Sequence, residues 1–426
     1  MSALGQQLRT ENWTAAVWRS AYRYGLTSLG PLAVSGAHFV ASLLFLRLLK
    51  PEDFGHFSFM MIVVPFALSV TGAMLGAPAA MTRGKDSATA EAELAILTNI
   101  SLTVSALAFV GVAILMAATG AVAAAAVVFG LYAAVFTARS FARSCSNVLG
   151  RIEKVAGSDI VYSLVLIAGL SAVAAAGLFS LTAAALVLVV ASLAAMAPFG
   201  RGYLGRLGAA RKMPRFAAYR PMWRDVTRWS LLGVVLTELA ANCHAYIVTF
   251  VSGPGAFGLL ALGALFLRPT SLVLGALPDI DQPVMTEKIA SGDLKGAFGV
   301  VNEFRTAAGA VLIGTVLLAL ILVFWFPHLL LKHYQVNDVL VVLAFWAGIT
   351  LLRVIRTPES VFVMATGGYD KLPLISGISS VVALALTLVL LLTLGPLWSL
   401  GGVLAGEAVM VAMLFPLTNR WRRRRG

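Results

Sequence analysis

Charge is what this 426-residue sequence has least of. Only 12% of it is Asp, Glu, Lys or Arg, against roughly 25% in soluble domains. Hydrophobic residues make up 59%, and the mean hydropathy is +0.90. Together these exclude a soluble fold of this length, and disorder. Two cysteines, Cys145 on the cytoplasmic side and Cys243 within a span, exclude a disulfide framework. There is no HExxH cluster and no Walker motif. No metal, no cofactor and no built-in ATPase are therefore expected. The apolar runs are continuous rather than alternating, which excludes a β-barrel. A cleavable signal peptide is not expected, because the first run begins near residue 25 and is too long for one.

What the sequence has instead is twelve apolar stretches near the roughly 20 residues that a bilayer-spanning helix needs. They run over 25–49, 54–79, 94–118, 120–142, 159–179, 181–199, 229–252, 255–277, 304–326, 336–357, 372–394 and 396–418. With the N-terminus placed in the cytoplasm, 28 of the 32 Lys and Arg fall on the cytoplasmic side. Three fall outside (Arg47, Lys50 and Lys332), and Arg268 lies within a span. This asymmetry fits an even span count with both termini cytoplasmic. It also accounts for most of the net charge of +13 without nucleic acid.

The fold class expected is all-α: a polytopic membrane protein of about twelve helices in two six-helix lobes. The division is a cytoplasmic interfacial segment 1–24, an N-lobe 25–199, a basic linker 200–228, a C-lobe 229–418 and an Arg-rich tail 419–426. Six spans per half give both halves one orientation, as parallel repeats have. Two echoes support duplication. Phe54-Gly55 and Phe257-Gly258 each open the second helix of a hairpin. Leu75-Gly76-Ala77-Pro78 is matched by Leu274-Gly275-Ala276-Leu277-Pro278.

Residues 36–83 carry a family resemblance. A leucine-rich first helix leads into Pro51-Glu52-Asp53-Phe54-Gly55, and a second helix then carries Gly72, Gly76 and Arg83. This resembles the Wzx-type polysaccharide flippases, a branch of the multidrug/oligosaccharidyl-lipid/polysaccharide (MOP) exporter superfamily. The resemblance implies a MATE-like pseudo-twofold bundle, alternating access and a cationic cavity. The implied partner is an undecaprenyl-pyrophosphate-linked glycan, flipped across the bacterial inner membrane for surface polysaccharide. Polysaccharide assembly proteins are implied as further partners.

Ionisable residues inside spans need a partner or a task. Arg268, followed by the helix-kinking Pro269, suits a pyrophosphate in a cavity or a structural ion pair. Glu238 lies at nearly the same depth on the neighbouring span, which suits an ion pair with Arg268, either one that holds Arg268 in an empty site or protonates during coupling, or a purely structural one. Asn242, Tyr246 and Thr249 extend Glu238 into one polar face. His38 reads as a sugar or proton site, or as a buried neutral histidine. Arg47 reads as a cavity residue or as one snorkelling to the headgroups. Arg353 and Arg356 are placed near the cytoplasmic end of span ten, as topology anchors or a gate for the pyrophosphate. Glu407 has no basic neighbour in sequence and is packed, paired or proton-sensing. The basic linker and the Arg tail read as topology signals or as sites for anionic membrane lipids, with topology favoured for the tail.

A flippase rather than an enzyme is thus the expectation. The alternatives are a drug/cation antiporter of the same superfamily, a membrane glycosyltransferase or ligase, and a non-transporting scaffold. The short external loops, the longest from Pro327 to Gln335, disfavour the glycosyltransferase or ligase.

Overall fold

The computed structural model describes residues 30–82, 86–203, 205, 216–330, 333–368 and 371–424. The interfacial segment 1–24, Arg83, Lys85, Lys332 and much of the basic linker lie outside the described residues, as do the side chains of the Arg tail. No strand occurs among the described residues. Among the described residues ten helices are long and apolar enough to cross a membrane, and the number rises to twelve if each of two bent helix pairs is one span. The chain is therefore an all-α polytopic membrane protein.

The first half consists of α1 (Gly30–Leu48) and α2 (Pro51–Thr71), then α3 (Ser87–Ala118), α4 (Ala123–Val148), α5 (Ile152–Ala175) and α6 (Leu181–Ala194). After a short α7 (Phe216–Met222) come α8 (Arg228–Ser252), α9 (Pro254–Phe266) and α10 (Arg268–Ala290). The chain closes with α11 (Leu294–Trp325), α12 (Val336–Ala365), α13 (Lys371–Leu394) and α14 (Leu400–Arg424).

Several helices outrun their apolar stretches. The Asp86 carboxylate accepts from the Thr89 amide at 2.9 Å and starts α3 well before residue 94. Asp293 does the same with Gly296 at 2.8 Å and starts α11 before residue 304. Hydropathy marks where hydrocarbon ends, whereas a helix stops where a cap satisfies its free amides. Cys145 and Cys243 are both buried, and neither is in a disulfide.

The chain packs as two compact units. One takes in the described residues of Met1–Leu44 and Val63–Val234; the other is Phe45–Ile62 with Val235–Gly426. In the first unit, α2 passes into a π-helical turn at Gly72–Gly76. The Tyr219 hydroxyl, from α7, donates to the Met74 carbonyl in that turn at 2.6 Å and lies 3.0 Å from the Thr227 hydroxyl. A π-turn frees carbonyls from the regular ladder, and Tyr219 satisfies one of them. In the second unit, α12 packs against α9, α10, α11 and α14.

The second unit also holds both echoed hairpins, and their likeness is closer than Phe-Gly alone. Each reads Pro-x-x-Phe-Gly: Pro51 to Gly55, and Pro254 to Gly258. In each the Pro opens the helix, where its missing N–H is no loss. The contact between them is reciprocal. A Cβ on Gly55 would land on the Pro254 carbonyl, and a Cβ on Gly258 would fall 3.0 Å from the Pro51 carbonyl. Gly36, by contrast, has open space around it.

Gly55→Ala should therefore destabilise by about 1–3 kcal/mol, the usual cost of overpacking. Gly36→Ala should be neutral or slightly stabilising. Thermal unfolding of the detergent-solubilised protein reads both, and equal effects would refute the reciprocal contact.

Candidate functional site

Spans seven and eight are the two broken ones. The first bends by 61° between Phe216–Glu238 and Ala241–Ser252; the second bends by 59° between Pro254–Phe266 and Arg268–Ala290. Pro269 sits in the first turn of α10, where the helix restarts. Glu238 and Arg268 each abut a break, at matching distances in sequence from Gly253. A broken helix exposes polar backbone, which a membrane tolerates where protein or water covers it.

The expected Glu238–Arg268 ion pair does not form. Asn242 donates to the Glu238 carboxylate at 3.1 Å and Tyr246 at 2.8 Å, both from the same helix. Donors at i+4 and i+8 satisfy Glu238 without reaching across to another helix. Thr249, further along the stripe, is buried with its hydroxyl unpartnered. Arg268 is half-buried and has no carboxylate partner among the described residues.

Arg353, Arg356 and Glu407 do come together, joining α12 to α14. Arg353 Nε donates to Glu407 Oε1 at 2.7 Å. Arg356 Nε donates to Oε2, and its Nη2 lies 3.4 Å from Oε1. The two arginines stand where the apolar stretch of span ten ends, while their helix runs on beyond it. Helix α12 continues past residue 357 to Ala365, so they sit well inside it. The Arg353 guanidinium lies 6.0 Å from the Trp346 ring centroid. Trp346 is held by a 2.9 Å bond from its indole N–H to the Leu260 carbonyl. Buried His244 meets this ring edge-on, with its Nδ1 unpartnered.

The first unit contains a second such cluster. Asp159 on α5 accepts from Arg139 Nη2 and, at 2.9 Å, from Arg143 Nη2, both on α4. Arg139 Nε also donates to Ser158 at 2.9 Å. Arg139 and Asp159 are fully buried, so these two arginines, read as cytoplasmic topology charges, are structural partners as well. The Arg139 guanidinium lies 4.8 Å from the Tyr162 ring centroid. Tyr162 joins a chain with His38 Nε2 at 2.9 Å and the Tyr132 hydroxyl at 3.2 Å. His38 is thus a buried, hydrogen-bonded histidine. Arg47 is exposed near the end of α1. A third pair, Arg305 with Glu359 at 2.7 Å, joins α11 to α12.

The Asp159 and Glu359 clusters were missed from the sequence. One signal was available: Arg139 falls inside an apolar stretch, and Asp159 opens the next.

No protein-family model matches the chain, and no curated protein matches it. Solved structures do. The chain is similar to the lipid II flippase MurJ in an inward closed conformation, with a TM-score of 0.69 and 15% identity over 92% of this chain and 87% of that one. It is similar to an inward-facing multidrug resistance MATE family transporter of the MOP superfamily, with a TM-score of 0.66 and 16% identity over 93% and 94%. A MOP superfamily transporter from Pyrococcus furiosus matches with a TM-score of 0.53 and 14% identity over 94% and 92%. The chain shares its fold with these structures.

Asp159→Asn leaves Arg139 buried beside a neutral amide. Breaking a buried pair from one side costs about 3–5 kcal/mol. Asp159→Asn should therefore lower the unfolding temperature far more than Arg143→Ala, whose arginine is 30% exposed. Chemical unfolding in detergent checks the order.

Proposed function

We propose that the chain is a flippase for a polyprenyl-diphosphate-linked oligosaccharide, moving it from the cytoplasmic to the periplasmic leaflet of the bacterial inner membrane. The observation that carries this reading is Arg268: a half-buried guanidinium at a break in a spanning helix, with no carboxylate of the described chain to neutralise it. A cation in that position calls for an external anion. A diphosphate matches the planar fork of arginine, which binds phosphate oxygens in pairs. Asn242 and Tyr246 lie along the polar face of the neighbouring helix and supply contacts for sugar hydroxyls. The prenyl tail stays in lipid. The orientation rests on the Lys and Arg asymmetry. The fold shared with the lipid II flippase MurJ supports a lipid-linked cargo, and the branch exporting surface polysaccharide is favoured by the motif at residues 36–83.

A second reading rests on Glu238. Asp159, Glu359 and Glu407 each face an arginine, whereas the hydrogen-bond partners of Glu238 are neutral. A drug/cation antiporter would use such a carboxylate.

The two readings separate in the host deleted for this gene. For a flippase, Arg268→Ala reduces surface polysaccharide by on the order of tenfold or more, the scale of a lost charge-assisted phosphate contact, while membrane abundance is kept. Arg268→Lys retains part of the export. Full export by Arg268→Ala, with drug efflux abolished by Glu238→Gln, would overturn the flippase in favour of the antiporter.

A further inference from the structure

Two guanidinium groups converge on one carboxylate at Glu407, which leaves the cluster one positive charge in excess. Glu407 does not use up their donors. Arg353 engages it through Nε, leaving both its terminal nitrogens without a protein partner among the described residues. Arg356 engages it through Nε and Nη2, leaving Nη1 free. The arginine side chains remain 27% and 22% exposed, against 9% for Glu407. Accessible, unpaired donors on a net cationic pair make a site for an oxyanion. Glu407 holds the two forks in place meanwhile, since two bare arginines at close range repel.

We infer that Arg353 and Arg356 bind a phosphate-ester anion, and that Glu407 is an internal competitor which that anion displaces. Its occupant rests on the diphosphate-cargo reading; the site itself rests on the triad geometry. Exchange of one anion for another keeps an anion beside the two arginines at each stage, so the cargo is accepted without exposing a bare cation pair to hydrocarbon.

Trp346 supplies the reporter. Its ring is fixed by the Leu260 carbonyl and lies within reach of Arg353, so an Arg353 that leaves Glu407 alters the indole environment. The full chain is reconstituted in phosphatidylcholine nanodiscs and titrated with inorganic pyrophosphate, following tryptophan fluorescence. The expected result is a saturable change that Trp346→Phe removes and Arg353→Gln/Arg356→Gln abolishes. Glu407→Gln should tighten the apparent Kd about tenfold, as removal of a competing anion does. Unchanged or weaker binding in Glu407→Gln overturns the inference. Should Glu407→Gln prove unstable, pyrophosphate must raise its unfolding temperature more than that of the parent; no such excess also overturns it. Including phosphatidylglycerol distinguishes the sources of the phosphate. Weaker pyrophosphate binding there assigns the site to a lipid headgroup, and unchanged binding assigns it to a diphosphate. Full export by Arg268→Ala with tighter pyrophosphate binding in Glu407→Gln would discard the cargo reading and keep the site.

Discussion

An ionised side chain at the centre of a spanning helix costs about 2.5–3.5 kcal/mol on insertion scales, and that penalty organises the interior of both units. The chain meets it by tying helices together through charge. Asp159 joins α5 to α4, Glu359 joins α12 to α11, and Glu407 joins α14 to α12. Such bonds are poor sources of net stability, because desolvation offsets attraction. Their value lies in specifying neighbours where lipid and side chain are equally apolar and hydrophobicity cannot choose. Arg268 stands apart as a half-buried arginine with no carboxylate partner among the described residues.

The two charge triads share a plan. In each half the fourth spanning helix carries an arginine pair, Arg139 with Arg143 and Arg353 with Arg356, at nearly equal distances from the helix start. The carboxylate differs, coming from the next helix in one half and from the last in the other. Burial differs as well. Arg139 is sealed under aromatic rings, whereas Arg353 and Arg356 keep free edges. One scaffold thus holds a closed version and an open version of the same cluster.

Much of the fold was legible because hydrocarbon enforces it. Ten of the twelve apolar stretches became spanning helices and the other two became bent helix pairs, one break being marked by Pro269. The hairpin echo was legible too, although only the structure shows that the repeated residues touch each other. Helix ends were less legible, since Asp86 and Asp293 cap helices well outside the apolar stretches. Partners of the charges were least legible. Arg356 and Glu407 lie 51 residues apart, and no local pattern links them. For Glu238 and Arg268, equal depth suggested a pair, but depth fixes only one coordinate. Donors on Glu238's own helix, at a fixed spacing, reached it instead.

The reciprocal seating of the two Pro-x-x-Phe-Gly hairpins has a consequence for biogenesis. Pro254 is polymerised 203 residues after Pro51. At roughly 5–20 residues per second, the first hairpin waits about 10–40 seconds for the second. Throughout that interval its turn end, which packs with the later unit rather than with the helices made alongside it, has the backbone at Gly55 uncovered. The nascent chain thus presents, for that time, a surface that the finished protein covers.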